Sequence, residues 1–344
     1  MGALFFAVKE EEMIETVASA DMLIDEVMRV KKNRLAPDFA TGKEKRLSIV
    51  SGVHGDEVAG QYICYEVIRR IKKDFDKLKG IVDIYPFINP MGLEAQVRDV
   101  PVFDIDMNTL FPGSTEGTVG EYTAALVLQD IKGSDICVDL HSSSVYLKEL
   151  PQVRVNSDIA DDILPYAARM NTDVVWVHPS STVMEGSLAY SLNEIGVKSM
   201  VVESGVALMI DYDYADQIVE GLFSLMEYMG IWDGCAYNTH MPKIARDTDV
   251  SFVNAESSGI FIPKVKHSGV VEKGDVIGDY KFGQLPKYGD LLMFGDMAIY
   301  TTCKNNTFNG MPLPDIWLRQ ADNTMVQLTD FDYTDFKGRL GRRR

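Results

Sequence analysis

Three short apolar runs, at residues 47–51, 135–140 and 198–202, each deliver the chain to a chemically reactive side chain: His54 beyond the first, His141 after the second and Glu203 after the third. Apolar runs of this length bounded by glycine or polar turns predict buried strands. Helical spacing separates them. From Asp56 onward Val58, Tyr62, Tyr65, Ile68, Ile71 and Phe75 recur every three or four residues, with Arg69, Arg70, Lys72 and Lys73 where a helix C-terminus favours cations. Similar patterns predict helices over 11–31, 120–131, 159–170, 188–195 and 214–229, and a further strand over 81–88 closed by Asn89-Pro90. Alternating strands and helices imply an α/β fold with a mixed sheet flanked by helices, whose ligands bind at strand C-terminal ends.

The composition narrows the partners. A formal net charge of -17 over 344 residues argues against nucleic acid and anionic membranes, since binding either needs clustered Lys and Arg to release counterions. No stretch approaches the roughly 18–20 apolar residues of a membrane helix. The N-terminus, Met-Gly-Ala-Leu-Phe-Phe-Ala-Val-Lys-Glu-Glu-Glu12, lacks a basic segment and does not read as a secretory signal. Cys64, Cys137, Cys235 and Cys303 show no C-x-x-C spacing, as expected of a reduced, cytoplasmic protein. The expected partner is a small molecule, and enzymes of this size are commonly homo-oligomers.

After Gly230-Ile-Trp-Asp-Gly234 the pattern changes. Glycines and β-forming residues dominate, in Ser258-Gly-Ile-Phe-Ile-Pro263 and in 269–280, with turn signals every several residues. The sequence therefore divides into a catalytic α/β domain over 1–234 and a small all-β domain over 235–344.

The chemistry begins in Ser51-Gly-Val-His-Gly-Asp-Glu57. Where such a loop turns into a helix, His54 and Glu57, three apart, can face one point. With His141 they form a set of two histidines and a glutamate, which suits a catalytic zinc with its fourth position open. Asp139, two residues before His141, faces the same side of a strand and can orient the imidazole. Glu203, in Val201-Val-Glu203-Ser-Gly205, supplies the carboxylate a metal hydrolase needs to move protons. Asn89-Pro90, Arg98 and Asp106-Met-Asn108-Thr-Leu-Phe-Pro-Gly113 form a long polar loop, where an arginine can polarise a carbonyl and an asparagine can fix a substrate. His178, His240 and His267 read as structural or exposed.

This ordered set (G-x-H-G-x-E, Asn-Pro, an arginine ahead of D-x-N-x-x-F-P-G, D-L-H-S and V-E-S-G) resembles the succinylglutamate desuccinylase/aspartoacylase family of zinc carboxypeptidase-like enzymes over roughly residues 45–230. The resemblance implies one Zn2+ per chain on His54, Glu57 and His141, Arg98 as carbonyl clamp and Glu203 as base or acid. Asn89, Asn108 and Thr109 fall at substrate-binding positions, and the reaction implied is hydrolysis of an amide. The C-terminal region resembles the lipoyl/biotinyl-like half-barrels attached to such domains, without the lysine context of a carrier; its Tyr280 or Tyr288 can reach toward a substrate.

Two departures bear on the substrate. Family members carry Asn-Arg where this chain has Asn108-Thr109, and a second arginine ahead of the catalytic glutamate, whereas 189–202 contains none. Threonine cannot grip a carboxylate bidentately. The expected substrate is thus a neutral or cationic amide, such as an acylated amine or diamine, rather than an acidic N-acyl amino acid. The alternatives are a zinc carboxypeptidase acting on small peptides and a non-catalytic zinc-binding member of the fold.

Overall fold

The structure, a computed structural model, describes residues 13–22, 25–38, 41–101, 103–179, 185–234, 237, 239–250, 262–267, 269–271, 278–279, 316–319 and 325–329. Its centre is a nine-stranded mixed sheet built from β1 (Ile14–Asp21), β2 (Val27–Leu35), β3 (Arg46–Ser51), β4 (Ile81–Tyr85), β5 (Ile136–His141), β6 (Glu149–Asn156), β7 (Val174–His178), β8 (Lys198–Gly205) and β9 (Lys243–Arg246), in the spatial order β1-β2-β4-β3-β5-β8-β6-β7-β9. β4, β3, β5 and β8 run parallel, while β6 returns antiparallel to β8.

The central strands are buried on both faces. All six residues of β5 are buried, as are five of six in β3. Each apolar side chain of Val, Leu or Ile size removed from water there stabilises the fold by about 1.5–3 kcal/mol. One core cluster joins Leu47, Ile49, Val138 and Val202 to α1 (Ala59–Lys73), through Ile63 and Val67, and to α6 (Tyr212–Met229), through Leu222 and Phe223. A second joins Val50 and Tyr85 to α3 (Val119–Ile131) and α5 (Leu188–Glu194), through Val127, Leu188 and Leu192. Two shorter helices, α2 (Pro90–Ala95) and α4 (Ala160–Ala167), complete the elements around the sheet. The helix α3 starts on a capping box, Thr118 with Glu121, and α6 stops at Gly230 in the left-handed conformation.

The helix expected over 11–31 is instead an antiparallel hairpin, β1 with β2, with a register shift between Thr16 and Ala18. Ile14, Thr16, Val17, Val27 and Val30 are β-branched, and the burial of β2 alternates, hiding Met28, Val30 and Lys32 on one face. A charged residue at a core position obscures that alternation. Lys32 is only 2% exposed because its ammonium lies 2.7 Å from Asp130 and 3.6 Å from Asp83.

The chain separates into two compact units, 1–258 with 265–277, and 259–264 with 278–344. The boundary expected at 234/235 falls inside the first: β9 pairs parallel with β7 in the large sheet, through Val174 to Lys243 and Val177 to Arg246. In the second unit the described residues form two antiparallel pairs, Ile262–Pro263 with Gly278–Asp279, and Ile316–Arg319 with Met325–Thr329. Most of the expected half-barrel, Tyr280 and Tyr288 included, lies outside the described residues.

Candidate active site

Two neighbouring parallel strands and the loop after a third create the site. His141 is the last residue of β5 and lies opposite Glu203 of β8 in the parallel register. β3 ends at Ser51, and the loop from Gly52 carries His54 and Glu57 before α1 begins. That loop is pressed against α2: a Cβ on Gly55 would lie 1.9 Å from the carbonyl carbon of Gly92, so a side chain there would push the loop, and with it His54, off α2.

His54, Glu57 and His141 are 2%, 3% and 6% exposed, and their ligating atoms all lie within 4.8 Å of one another. His54 Nδ1 is 2.6 Å from Glu57 Oε1, His141 Nδ1 is 3.0 Å from Glu57 Oε2, and the two Nδ1 atoms are 3.2 Å apart. The outward nitrogens have carboxylate partners: His54 Nε2 is 3.0 Å from Asp106 Oδ1, and His141 Nε2 is 3.1 Å from Asp139 Oδ2. A backbone N–H of Ser142 donates to Glu57 Oε2 at 3.0 Å.

These contacts dictate the charge state. Burial works against the imidazolium of His141, but Asp139 and Glu57 outweigh it and raise its pKa well above the ordinary value. The pKa of His54 is raised likewise, with burial outweighed by Asp106 and Glu57. Burial pushes the Glu57 carboxyl up, and the two imidazoles overcome it and hold the group down at about 2. Two nitrogens and a carboxylate thus converge where positive charge is wanted. That donor set fits a divalent cation in place of the protons, and the carboxylate on each outer nitrogen is the usual arrangement behind a metal-binding histidine.

Arg98 reaches the centre from the loop after α2. Its Nη1 donates to Glu57 Oε1 at 3.3 Å and its Nη2 to Asp106 Oδ2 at 3.1 Å. A cavity of about 560 Å³ opens from the centre, lined among others by Arg98, Asn108, Glu149, Arg154, His178, Tyr190 and Glu203. Burial, the largest influence, pushes the Glu203 carboxyl up to about 7, against His141 and Arg154.

The substrate-facing expectations divide. Asn108 lines the cavity and its Oδ1 accepts the backbone N–H of Leu188 at the start of α5. Asn89 does not line it. It is 3% exposed, caps α2 by accepting from Gly92 N at 3.0 Å, and donates to the carbonyls of Val53 and Asp99. These are the neighbours of His54 and Arg98, so Asn89 ties the two site loops together rather than meeting a ligand. The Thr109 hydroxyl donates to Asp106 O at 2.7 Å, closing a turn outside the cavity lining.

Three participants escape the sequence reading. Asp106 holds His54 and Arg98 together, which its D-x-N loop does not disclose. Arg154 and His178 enter the cavity from β6 and β7; His178, expected as structural or exposed, stacks on Trp176 with ring centroids 4.3 Å apart.

Residues 43–229 match the family model of the succinylglutamate desuccinylase/aspartoacylase catalytic domain, a span that holds every residue of the centre. The chain belongs to the succinylglutamate desuccinylase/aspartoacylase family. The activities in the family's name are amide hydrolyses. A succinylglutamate desuccinylase/aspartoacylase of Rhodobacter sphaeroides shares the fold, with a TM-score of 0.64 at 19% identity over 78% of this chain and 83% of that one. Among curated proteins, N-alpha-acetyl-L-2,4-diaminobutyric acid deacetylase of Halomonas elongata is 24% identical over 67% of this chain and 68% of its own length. A carboxyaminopropylagmatine decarboxylase of Synechocystis is 28% identical over 41% of this chain and 37% of its own. The chain thus spans well under half the length of the curated relatives it matches first. No helix among the described residues is long and apolar enough to cross a membrane.

Proposed function

We propose that the protein is a zinc-dependent hydrolase that removes the acyl group from an N-acylated amine, with one Zn2+ held by His54, Glu57 and His141. The observation that carries this is the convergence of two Nδ1 atoms on the Glu57 carboxylate in the lining of a cavity that also holds Glu203 and Arg98. The ion would supply Lewis acidity to the scissile carbonyl and acidify water.

The chain's own groups do the rest. Glu203 takes the proton of the attacking water and hands it to the departing amine; a carboxyl balanced near neutrality can do both. Arg98 directs guanidinium N–H groups at the centre, where an oxyanion develops. Asp106 and Asp139 hold the two imidazoles with Nδ1 turned inward.

The substrate is neutral or cationic. Thr109 offers no guanidinium, residues 189–202 contain none, and Arg154, the other guanidinium on the cavity wall, is already engaged by Glu149 and Glu203. The Halomonas relative is named for an acetylated diamino acid and the Synechocystis relative for an agmatine derivative; each named compound carries a further basic nitrogen. Those names support an acylated diamine or guanidine. Buried, unpaired Cys64 and Cys137 support a reducing, cytoplasmic setting.

Turnover of N-acetylated diamines, neutral N-acyl amines, N-acetylaspartate and short peptides by zinc-loaded and chelated protein tests the reading. Zinc-dependent amine release from the neutral or cationic members is expected. Preference for N-acetylaspartate would overturn the substrate class, preference for peptides would make the protein a carboxypeptidase, and silence with zinc bound would point to a non-catalytic member of the fold.

A further inference from the structure

The wall of the cavity facing the metal centre carries a second charged cluster that the reaction, as described, leaves without a role. Arg154 of β6 stands opposite Val201 of β8 in the antiparallel ladder, and Gln152 stands opposite Glu203. Residues two apart on a strand share a face, so Arg154 and Glu203 project to the same side of the sheet. The Arg154 Nη1 lies 3.3 Å from Glu203 Oε1, and its Nη2 donates to Glu149 Oε1 at 2.6 Å.

By strict alternation Glu149 would point away from Arg154, five residues on. It does not, because the β6–β8 register shifts between Glu149, opposite Gly205, and Gln152, opposite Glu203. Three residues of one strand span two of the other, and such a bulge re-aims a side chain, here beside the active site. The guanidinium is held further by the face of Trp176, 5.9 Å from Arg154 Cζ, whose indole N–H donates to Asp247 Oδ1 at 2.8 Å. Arg154 is thereby gripped tightly on the Glu149 side and left with a longer contact on the Glu203 side, and only 31% of its side chain is exposed.

We propose that Arg154 is a positioning residue that holds the Glu203 carboxylate in the orientation needed for proton transfer, and that the bulge in β6 supplies Glu149 as the counter-charge that keeps the guanidinium in place. The proposal rests on Glu203 being the proton carrier of the reaction described above. A planar fork between two carboxylates fixes both distance and plane, which a lysine ammonium does only in part. Because Glu149 neutralises it, Arg154 steadies Glu203 without presenting an uncompensated cation to the substrate.

The test is a double-mutant cycle on the full-length, zinc-loaded protein, reading kcat, KM, bound zinc and melting temperature for Arg154→Met, Arg154→Lys, Glu203→Gln and Arg154→Met with Glu203→Gln. Arg154→Met is expected to lower kcat roughly 10-fold or more with KM and zinc content unchanged, Arg154→Lys to recover part of the loss, and the double variant to match Glu203→Gln alone. Losses that multiply, or a loss confined to KM, would overturn the proposal, the second marking Arg154 as a substrate-binding group. Should the wild-type protein hydrolyse no amide, the functional reading fails by itself. The positioning role is then decided by crystal structures of wild type and Arg154→Met: a displaced Glu203 carboxylate supports it, and an unmoved one refutes it.

Discussion

Two fully buried aspartates sit on neighbouring parts of one sheet and are handled in opposite ways. Asp83 on β4 is surrounded by permanent cations: Arg46 at 2.6 Å, Arg34 at 3.1 Å and Lys32 at 3.6 Å, with Asp130 and the Tyr85 hydroxyl extending the network. Among the described residues, the charged partner of Asp139 on β5 is the Nε2 of His141 at 3.1 Å, whose other nitrogen turns to Glu57. The first network brings its own positive charge and is closed. The second passes negative charge through two titratable imidazoles to Glu57, which a permanent cation, Arg98, meets at one oxygen and only at 3.3 Å, and it therefore suits an ion brought from outside. A buried carboxylate alone does not mark a site; the type of group that answers it does.

Breaking the open network should abolish chemistry and leave the fold. For His54→Ala, loss of bound zinc and a fall in turnover of roughly 10³-fold or more are expected, since the proposed ion would supply several kcal/mol of charge stabilisation and each 1.36 kcal/mol is tenfold. Elemental analysis beside circular dichroism checks this; retained zinc would contradict it. Breaking the closed network should do the reverse. Asp83→Leu leaves Lys32 and Arg46 buried without their shared anion and should lower the unfolding free energy by about 3–5 kcal/mol. Denaturant titration measures that loss, while zinc stoichiometry in the folded fraction should stay at the wild-type value.

Smaller effects sharpen the contrast. Glu203→Gln should keep the metal and lose about 10²-fold in turnover. On the proposed mechanism the wild type needs ionised Glu203 to accept a proton, so kcat/KM should rise with pH through about 7 and flatten above it. A flat profile from pH 5 to 9 would remove Glu203 as the base. The mildest change is Asp139→Asn, which keeps the shape but weakens the orientation of His141; zinc affinity should fall about 10- to 100-fold. Competition with a chelating dye would detect it, and unchanged affinity would deny Asp139 its orienting role.

Much of the fold was legible because its centre obeys simple patterning. β3, β5 and β8 are continuous apolar runs, as strands buried on both faces must be, and the helices between them keep a period near 3.6. Legibility failed where polar residues occupy inward positions. Lys32 disguised β2, and the β6 segment Glu149–Asn156 drew no strand prediction, because Pro151 interrupts it and its polar Glu149, Arg154 and Asn156 line a cavity. The grouping of His54, Glu57, His141 and Glu203 was readable since each lies at the end of an apolar strand or in the loop that follows it. Asp106 and Arg154 were not, for their partners, His54 and Glu203, lie about fifty residues away in the sequence. Asn89 misled for the complementary reason: an asparagine in a polar site loop can serve a ligand or the backbone, and only its contacts with Val53 and Asp99 decide.

The most direct test of the central claim is zinc stoichiometry and amide turnover measured on the same purified protein before chelation, after chelation and after zinc is restored. One zinc per chain, with release of free amine from an N-acetylated diamine lost and regained in step, is the expected result. Turnover that persists without metal, or a chain that binds no zinc while His54, Glu57 and His141 are intact, would contradict it.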